Sequence, residues 1–243
     1  MDLVEQIVEW IREQVETAGA RGTVFGVSGG LDSSVVAVLC HKALGDSSLG
    51  AMMPCHSDAG DLEDAKLVTE EFGLPTITID LGPVFDALLR ELPEASKATV
   101  INLKPRLRMM TLYYLANDTG YLVVGTGNKS EMEVGYFTKY GDGGADILPL
   151  ASIYKTELAG VAWELGIPRR IIEKAPSAGL WAGQTDEGEM GITYEALDGI
   201  LKALESDRVP DDNPELVLKV KKMIESTAHK RAAPPVFNPK PDA

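Results

Sequence analysis

The sequence predicts an α/β protein built on a doubly wound parallel sheet with helices on both faces. Three observations lead there. Short β-rich runs alternate with helix-length segments through the first half of the chain. The runs are nearly continuous in apolar residues, as strands covered on both faces are. The first of them enters a glycine-rich turn that opens a helix, the unit from which parallel sheets are assembled.

Leu3, Val4, Ile7, Val8, Ile11 and Val15 recur at helical spacing, so residues 1–20 form an acidic amphipathic helix, which Gly19 and Gly22 end. A strand follows over 23–27, then the glycine turn, then a helix over 31–44. The alternation repeats as a strand over 49–54, an acidic-faced helix over 58–72, a strand over 76–81 and a helix over 83–92. Residues 97–117 read as a longer helical stretch, in which Pro105 is tolerated near a helix start or at a kink. Residues 121–124 are another short apolar strand. In the second half, 135–146 is a long loop rich in glycine and aspartate, and 176–191 is a second one; loops of this length inside compact domains are commonly functional. Helices are expected over 194–205 and 214–230. Four prolines mark 234–243 as an extended arm.

The 243 residues suit a single large domain, and 44% hydrophobic and 25% charged residues are ordinary for a soluble globular chain. A net charge of −14 argues against nonspecific nucleic-acid binding and against an anionic membrane surface. No stretch approaches the roughly 20 apolar residues of a membrane span, and the acidic first helix is unlike a signal peptide. Cys40 and Cys55 are too few and too far apart for a zinc site and read as buried thiols of a cytoplasmic protein. His41 and His56 read as structural, and Trp10 and Trp163 as packing residues. Trp181, in the second loop, reads as packing or as part of a substrate lid.

The most informative segment is Ser28-Gly29-Gly30-Leu31-Asp32-Ser33-Ser34, between the first strand and its helix. Glycines allow close backbone approach, and a helix N-terminus offers unpaired N–H groups and partial positive charge to a phosphate. The loop lacks the Lys-Ser/Thr ending of a Walker loop and the three-glycine spacing of a dinucleotide fingerprint. A carboxylate at position 32 suits Mg²⁺ bridging to the phosphates. The plainer alternative is a glycine turn with a serine or Asp32 capping a helix.

This loop resembles the pyrophosphate-binding loop of the N-type ATP pyrophosphatases, which form an adenylate and pyrophosphate from ATP. Downstream stand Gly125-Thr126-Gly127-Asn128-Lys129-Ser130-Glu131, the run from Gly135 through Tyr136, Phe137, Thr138, Lys139, Tyr140, Gly141, Asp142, Gly143, Gly144 and Ala145 to Asp146, then Lys155, Lys174-Ala175-Pro176-Ser177-Ala178 and Gly183-Gln184-Thr185-Asp186-Glu187. In order and spacing these resemble the NAD synthetase family over nearly the whole chain.

The resemblance implies a Rossmann-like sheet of the adenine nucleotide α-hydrolase type. It implies ATP-dependent amidation of deamido-NAD by ammonia through an NAD-adenylate. It places Gly26, Val27, Ser28, Gly29, Gly30, Leu31, Asp32, Ser33, Thr126, Lys155 and Ser177 against ATP, with Asp32 and Lys155 catalytic, and Asp32 and Glu131 on Mg²⁺. The family commonly has threonine at Ser177, and either hydroxyl can donate. Arg106, Lys139, Asp146, His229 and Lys230 fall to deamido-NAD. Taken alone, Arg106 reads as a solvated helix face, Glu131 as a first-turn helix carboxylate and His229 as a helix C-terminal residue. The first strand and the 121–124 strand are expected to flank the point where strand order reverses, which would join Asp32 to Glu131. A homodimer is implied, with the first helix and residues 97–117 as candidate surfaces. Only about 20 residues precede the first strand, which leaves no room there for a glutaminase domain, so free ammonia or a separate donor is expected.

Two alternatives stand beside this reading. The same ATP chemistry could serve another acceptor, such as a xanthosine nucleotide or a tRNA base; the latter calls for paired cysteines and a basic surface. A nucleotide-sensing module without turnover would have no use for a two-loop metal site.

Overall fold

The computed structural model describes residues 2–181, 183–210 and 213–238. In order the elements are α1 (Leu3–Thr17), β1 (Thr23–Gly26), α2 (Leu31–Leu44), β2 (Ser48–Met52), α3 (Ala59–Glu71), β3 (Thr76–Thr78), α4 (Gly82–Glu91), α5 (Lys97–Ile101), α6 (Leu103–Thr119) and β4 (Leu122–Val124). The second half adds α7 (Lys129–Val134), α8 (Lys155–Leu165), α9 (Arg169–Ile172), α10 (Asp186–Met190), α11 (Tyr194–Glu205), α12 (Pro214–Ser226) and α13 (Ala228–Arg231).

The four strands pair in parallel in the order β3-β2-β1-β4. The chain moves outward from β1 to β3, then returns to lay β4 on the other side of β1. Strand order therefore reverses between β1 and β4, and doubly wound sheets hold their ligands at such a point, beyond the carboxyl ends of the strands. Alternation along β1 sends Val24 to one face and Phe25 to the other. Phe25 joins a core with α1, α2, α8 and α9, while Val24 joins a core with α4 and α6. A third cluster, with Val134, Tyr154, Met190, Leu197 and Val220, packs α7 against α10, α11 and α12.

The structure departs from expectation in several places. The strand expected over 76–81 is a short edge strand with exposed residues, although its hydrogen bonding runs on to Leu81. A short strand is a usual way to blunt a sheet edge. The helical stretch over 97–117 breaks at Asn102, whose side chain accepts a hydrogen bond from the Thr138 hydroxyl at 2.7 Å. The break puts Pro105 in the first turn of α6, where its missing N–H costs nothing. The helix expected over 214–230 divides at Thr227, whose hydroxyl donates to the carbonyls of Met223 and Val134. The 176–191 loop contains the short helix α10. Trp163 is 53% exposed, so it is not the packing residue its type suggested. Cys40 and Cys55 are buried, as expected. Part of the proline-rich arm, 239–243, lies outside the described residues. No helix among the described residues is long and apolar enough to cross a membrane.

Candidate active site

The turn after β1 is folded by its own serines. The Ser33 hydroxyl accepts from the Ser28 N–H at 3.2 Å and donates to the Gly30 carbonyl at 3.0 Å; Ser34 also donates to that carbonyl, at 2.7 Å. Gly30 precedes α2 in extended conformation, with no side chain capping the helix. The N–H groups of the first turn of α2 therefore have no side-chain cap, as an anion site requires. Gly29 has φ +79°, and a Cβ there would lie 2.2 Å from the Asp61 carbonyl. Only glycine fits that position. The loop is backed by Lys174, whose Nζ donates to Asp61 at 2.8 Å, to Asp64 at 2.6 Å and, at 3.4 Å, to the Gly29 carbonyl.

Asp32, in the first turn of α2, is 9% exposed. One carboxylate oxygen accepts from the Asn128 amide at 2.7 Å; the other pairs with the Lys155 ammonium. Asn128 is fully buried and caps α7. Its side chain accepts from the Glu131 N–H at 3.0 Å, and Glu131 accepts from the Asn128 N–H at 3.1 Å. This reciprocal capping box fixes Glu131 beside Asp32. Lys155 arrives from the first position of α8. Three elements that are distant in sequence thus converge at the switch point between β1 and β4.

The electrostatics of this cluster are dominated by burial and by too many carboxylates. Burial, followed by the charge of Asp32, pushes the Glu131 carboxyl up to about 8. Burial opposes the Lys155 ammonium, but Asp32 and Glu131 outweigh it and hold its pKa above the ordinary value. Asp186 is raised by burial, against the pull of Lys155 and hydrogen bonds from Tyr194, Tyr136 and the Ala178 N–H. Three carboxyl groups thus share one lysine. Among the described residues no three of these groups are arranged to hold a metal by themselves, so a divalent cation would rest on the two hard carboxylates Asp32 and Glu131, with its remaining ligands coming from phosphate or water.

Without a metal, the folded protein should lose stability as pH rises. Glu131 holds its proton to about pH 8 when folded but loses it near 4.5 when unfolded. The folded state binds more protons across that interval, so this contribution is complete below about 4.5 and is lost as pH rises through about 8. Thermal melts in chelator should fall between pH 5 and 9, and the decline should flatten in Glu131→Gln. An unchanged slope in the variant would place its origin elsewhere.

Of the other residues expected at ATP, Gly26 ends β1, and the Val27 N–H donates to the Ala51 carbonyl at 2.9 Å. Leu31 begins α2, and Thr126 lies half-buried between β4 and α7. Ser177 is exposed; its hydroxyl accepts from the Gly179 N–H at 3.1 Å, and its neighbour Ala178 reaches Asp186.

The residues expected at deamido-NAD gather mainly around the 135–146 loop. Lys230 donates to the carbonyls of Gly135 at 2.8 Å and Phe137 at 2.7 Å. Lys139 donates to the His229 carbonyl, and Arg106 makes a long 3.5 Å contact to the Lys139 carbonyl. The His229 ring stands exposed on α13. Asp146 is engaged elsewhere. It accepts from the Tyr113 hydroxyl at 3.0 Å and the Val123 N–H at 2.8 Å, tying α6 to β4. Its contacts do not join it to Lys139, His229 or Lys230.

The sequence alone assigns no role to Asn128, Lys174 or Asp186, although each lies within one of its motifs. The Asn-x-x-Glu spacing of Asn128 and Glu131 is a capping signal and could have pointed to Asn128. Nothing local marks Lys174 or Asp186, whose partners come from other parts of the chain.

The chain is similar to known proteins along nearly its whole length. The model of a family described as NAD synthase matches residues 3–234. The NH3-dependent NAD+ synthetase of Carboxydothermus hydrogenoformans is 48% identical over 237 residues, covering 96% of this chain and 95% of the relative. The NH3-dependent NAD+ synthetase of Archaeoglobus fulgidus is also 48% identical, with the same coverage. Among solved structures, an NMN synthetase from Francisella tularensis superposes with a TM-score of 0.90 at 34% identity, covering 97% of both chains. The NH3-dependent NAD synthetase from Campylobacter jejuni superposes with a TM-score of 0.85 at 30% identity, covering 98% of this chain and 100% of that one.

Proposed function

The chain belongs to the NAD synthase family, and on that footing we propose that it forms NAD from deamido-NAD, ATP and ammonia, as a ligase making a C–N bond. The observation that supports this most is the meeting of Asp32, Glu131 and Lys155 at the switch point, against a glycine loop and an uncapped helix N-terminus.

In the first step the nicotinate carboxylate attacks the α-phosphorus of ATP. An O–P bond forms, the bond to the β-phosphate bridge breaks, and pyrophosphate leaves. The N–H groups of the first turn of α2, which carry no side-chain cap, hold the departing phosphates. Lys155 adds positive charge beside them where negative charge develops. Asp32 and Glu131 would hold Mg²⁺, which when bound neutralises phosphate charge. Asn128 keeps both carboxylates in place, through its amide to one and its cap to the other. Thr126 and Ser177 contribute hydroxyl donors to ATP. In the second step ammonia attacks the acyl carbon of the NAD-adenylate and AMP leaves with the bridging oxygen; the incoming nitrogen loses a proton.

Arg106, Lys139 and His229 form the deamido-NAD side of the site, with cations suited to its pyrophosphate and carboxylate. Lys230 acts by shaping the 135–146 loop through its two carbonyls, and Asp146 by fixing the same loop to β4. These local cations counter the repulsion of a chain with net charge −14.

The test is NAD formation from ATP, Mg²⁺ and ammonium with deamido-NAD, beside its mononucleotide counterpart, because one similar structure is an NMN synthetase. NAD and AMP in equal amounts, with deamido-NAD preferred, is the expected result. Turnover of the mononucleotide alone would keep the chemistry and replace the substrate.

We also propose a homodimer. On α6, Met110 is 56% and Tyr114 is 72% exposed, one turn apart on one face. Sedimentation equilibrium should give twice the chain mass, and Tyr114→Asp should shift it toward the monomer. A monomeric wild type would refute this.

A further inference from the structure

Asp198 lies on α11, outside the sequence motifs, yet it is 2% exposed. One of its carboxylate oxygens accepts from the Ser130 hydroxyl at 2.5 Å. The other accepts from the Thr156 N–H at 3.0 Å and the Thr156 hydroxyl at 2.8 Å. Ser130 in turn accepts from the Lys155 N–H at 2.9 Å. A buried carboxylate is costly to keep unless its lone pairs are used, and here three donors converge on it.

The placement of those donors explains what the carboxylate does. Ser130 is the residue before Glu131, in α7. Thr156 is the residue after Lys155, in α8. The N–H groups of Lys155 and Thr156 open α8 and would have no partner within that helix; Ser130 and Asp198 supply one to each. Asp198 thus bridges the start of α7 to the start of α8, beside the direct contact of the Lys155 N–H with Ser130. The spacing of Glu131 and Lys155 about Asp32 depends on that joint.

We propose that Asp198 is a positioning residue of the reaction: it sets the separation of Glu131 and Lys155 through Ser130 and Thr156, without touching substrate. This rests on the proposed ATP chemistry. Outer residues that orient a charged site typically contribute about 10–100-fold in metal affinity or activity.

The test uses Asp198→Asn, which keeps shape but can no longer accept from all three donors. Thr156→Val, which removes a single donor, serves if the first variant does not fold. Calorimetry of ATP binding in the presence of Mg²⁺ gives a readout apart from turnover. The expected result is a Mg²⁺ half-saturation raised and a kcat lowered by about 10-fold or more, with KM for deamido-NAD within about twofold of wild type and a melting curve that stays cooperative. Ser130→Ala should add little to Asp198→Asn, because the two act through one hydrogen bond. Wild-type kcat, Mg²⁺ dependence and ATP binding in a variant with only a lower melting temperature would overturn the proposal. Failure of the wild type to form NAD would instead strike the reaction itself, and the ATP-binding comparison would still decide the role of Asp198.

Discussion

Asp32→Asn is expected to reduce pyrophosphate release by on the order of 10²–10³-fold or more, the usual loss when an electrostatic contact to the transition state is removed, while leaving the protein folded. Asparagine has the same shape and can still meet the Asn128 amide, but it carries no charge for a cation or for Lys155. Removing one member of a buried ion pair commonly costs about 3–5 kcal/mol, because the other charge is left without a partner. Here that penalty is blunted. Glu131 is the neighbouring carboxyl, it holds its proton up to about pH 8 largely through burial and the charge of Asp32, and it can ionise to pair with Lys155 once Asp32 is neutral. The variant should therefore melt close to the wild type and still fail to turn over. Pyrophosphate release measured beside thermal unfolding separates the two effects; turnover within tenfold of wild type would remove Asp32 from the chemistry.

Gly29→Ala should be the most damaging change in the phosphate loop. An alanine would have to adopt φ near +79°, and its Cβ would press on the Asp61 carbonyl at 2.2 Å and the Ala65 N–H at 2.9 Å. The left-handed conformation costs about 1–2 kcal/mol, and overpacking a rigid neighbour about 1–3 kcal/mol. The neighbour is rigid because α3 is pinned there: Lys174 bridges Asp61 and Asp64, and Arg170 pairs with Asp64 at 2.7 Å. Relief must come from moving the loop off α3, which would tilt the start of α2 away from the phosphates. Loss of ATP binding, by calorimetry, together with a destabilisation on the order of 3 kcal/mol in urea, is the expected outcome. ATP binding at wild-type affinity would mean that the loop adapts and that its close packing on α3 is not needed.

What the sequence made legible follows the range of the interactions. The helix spacing in residues 1–20, the glycine turn and the β-branched runs are local patterns, and each became an element within a few residues of its expected limits. The pairing of β1 with β4 was legible through a rule of topology, since ligands of doubly wound sheets sit where strand order reverses. Residues 150–173 were not read as helical, although Leu158, Val161, Ala162 and Leu165 recur at helical spacing and form the buried face of α8; only the exposed Trp163 runs against that pattern. The break at Asn102 was partly legible, because Pro105 called for a helix start or kink nearby; the hydrogen bond from the Thr138 hydroxyl, 36 residues on, was not.

The site shows the same division. Asp32 could be singled out by its place in a glycine loop, but its contact with Lys155 spans 123 residues and with Asn128 spans 96. No local pattern encodes such pairs, so family resemblance was the only route to Lys155. Resemblance named Lys230 and Asp146 as well, but it did not reveal that both are engaged within the protein, Lys230 with two carbonyls and Asp146 with Tyr113 and Val123. Asp198 escaped both routes, because a buried carboxylate on an amphipathic helix has no sequence signature of its own.

The whole mechanism turns on activation of the substrate carboxylate by direct attack on the α-phosphorus of ATP. Deamido-NAD labelled with ¹⁸O in both carboxylate oxygens tests this in a single turnover with ammonium. One labelled oxygen should appear in AMP and one should remain in the NAD amide, because the bridging oxygen leaves with the nucleotide. AMP without label would mean that the carboxylate never bonded to the α-phosphorus, and the assignment of the Asp32, Glu131 and Lys155 cluster to adenylate formation would be wrong.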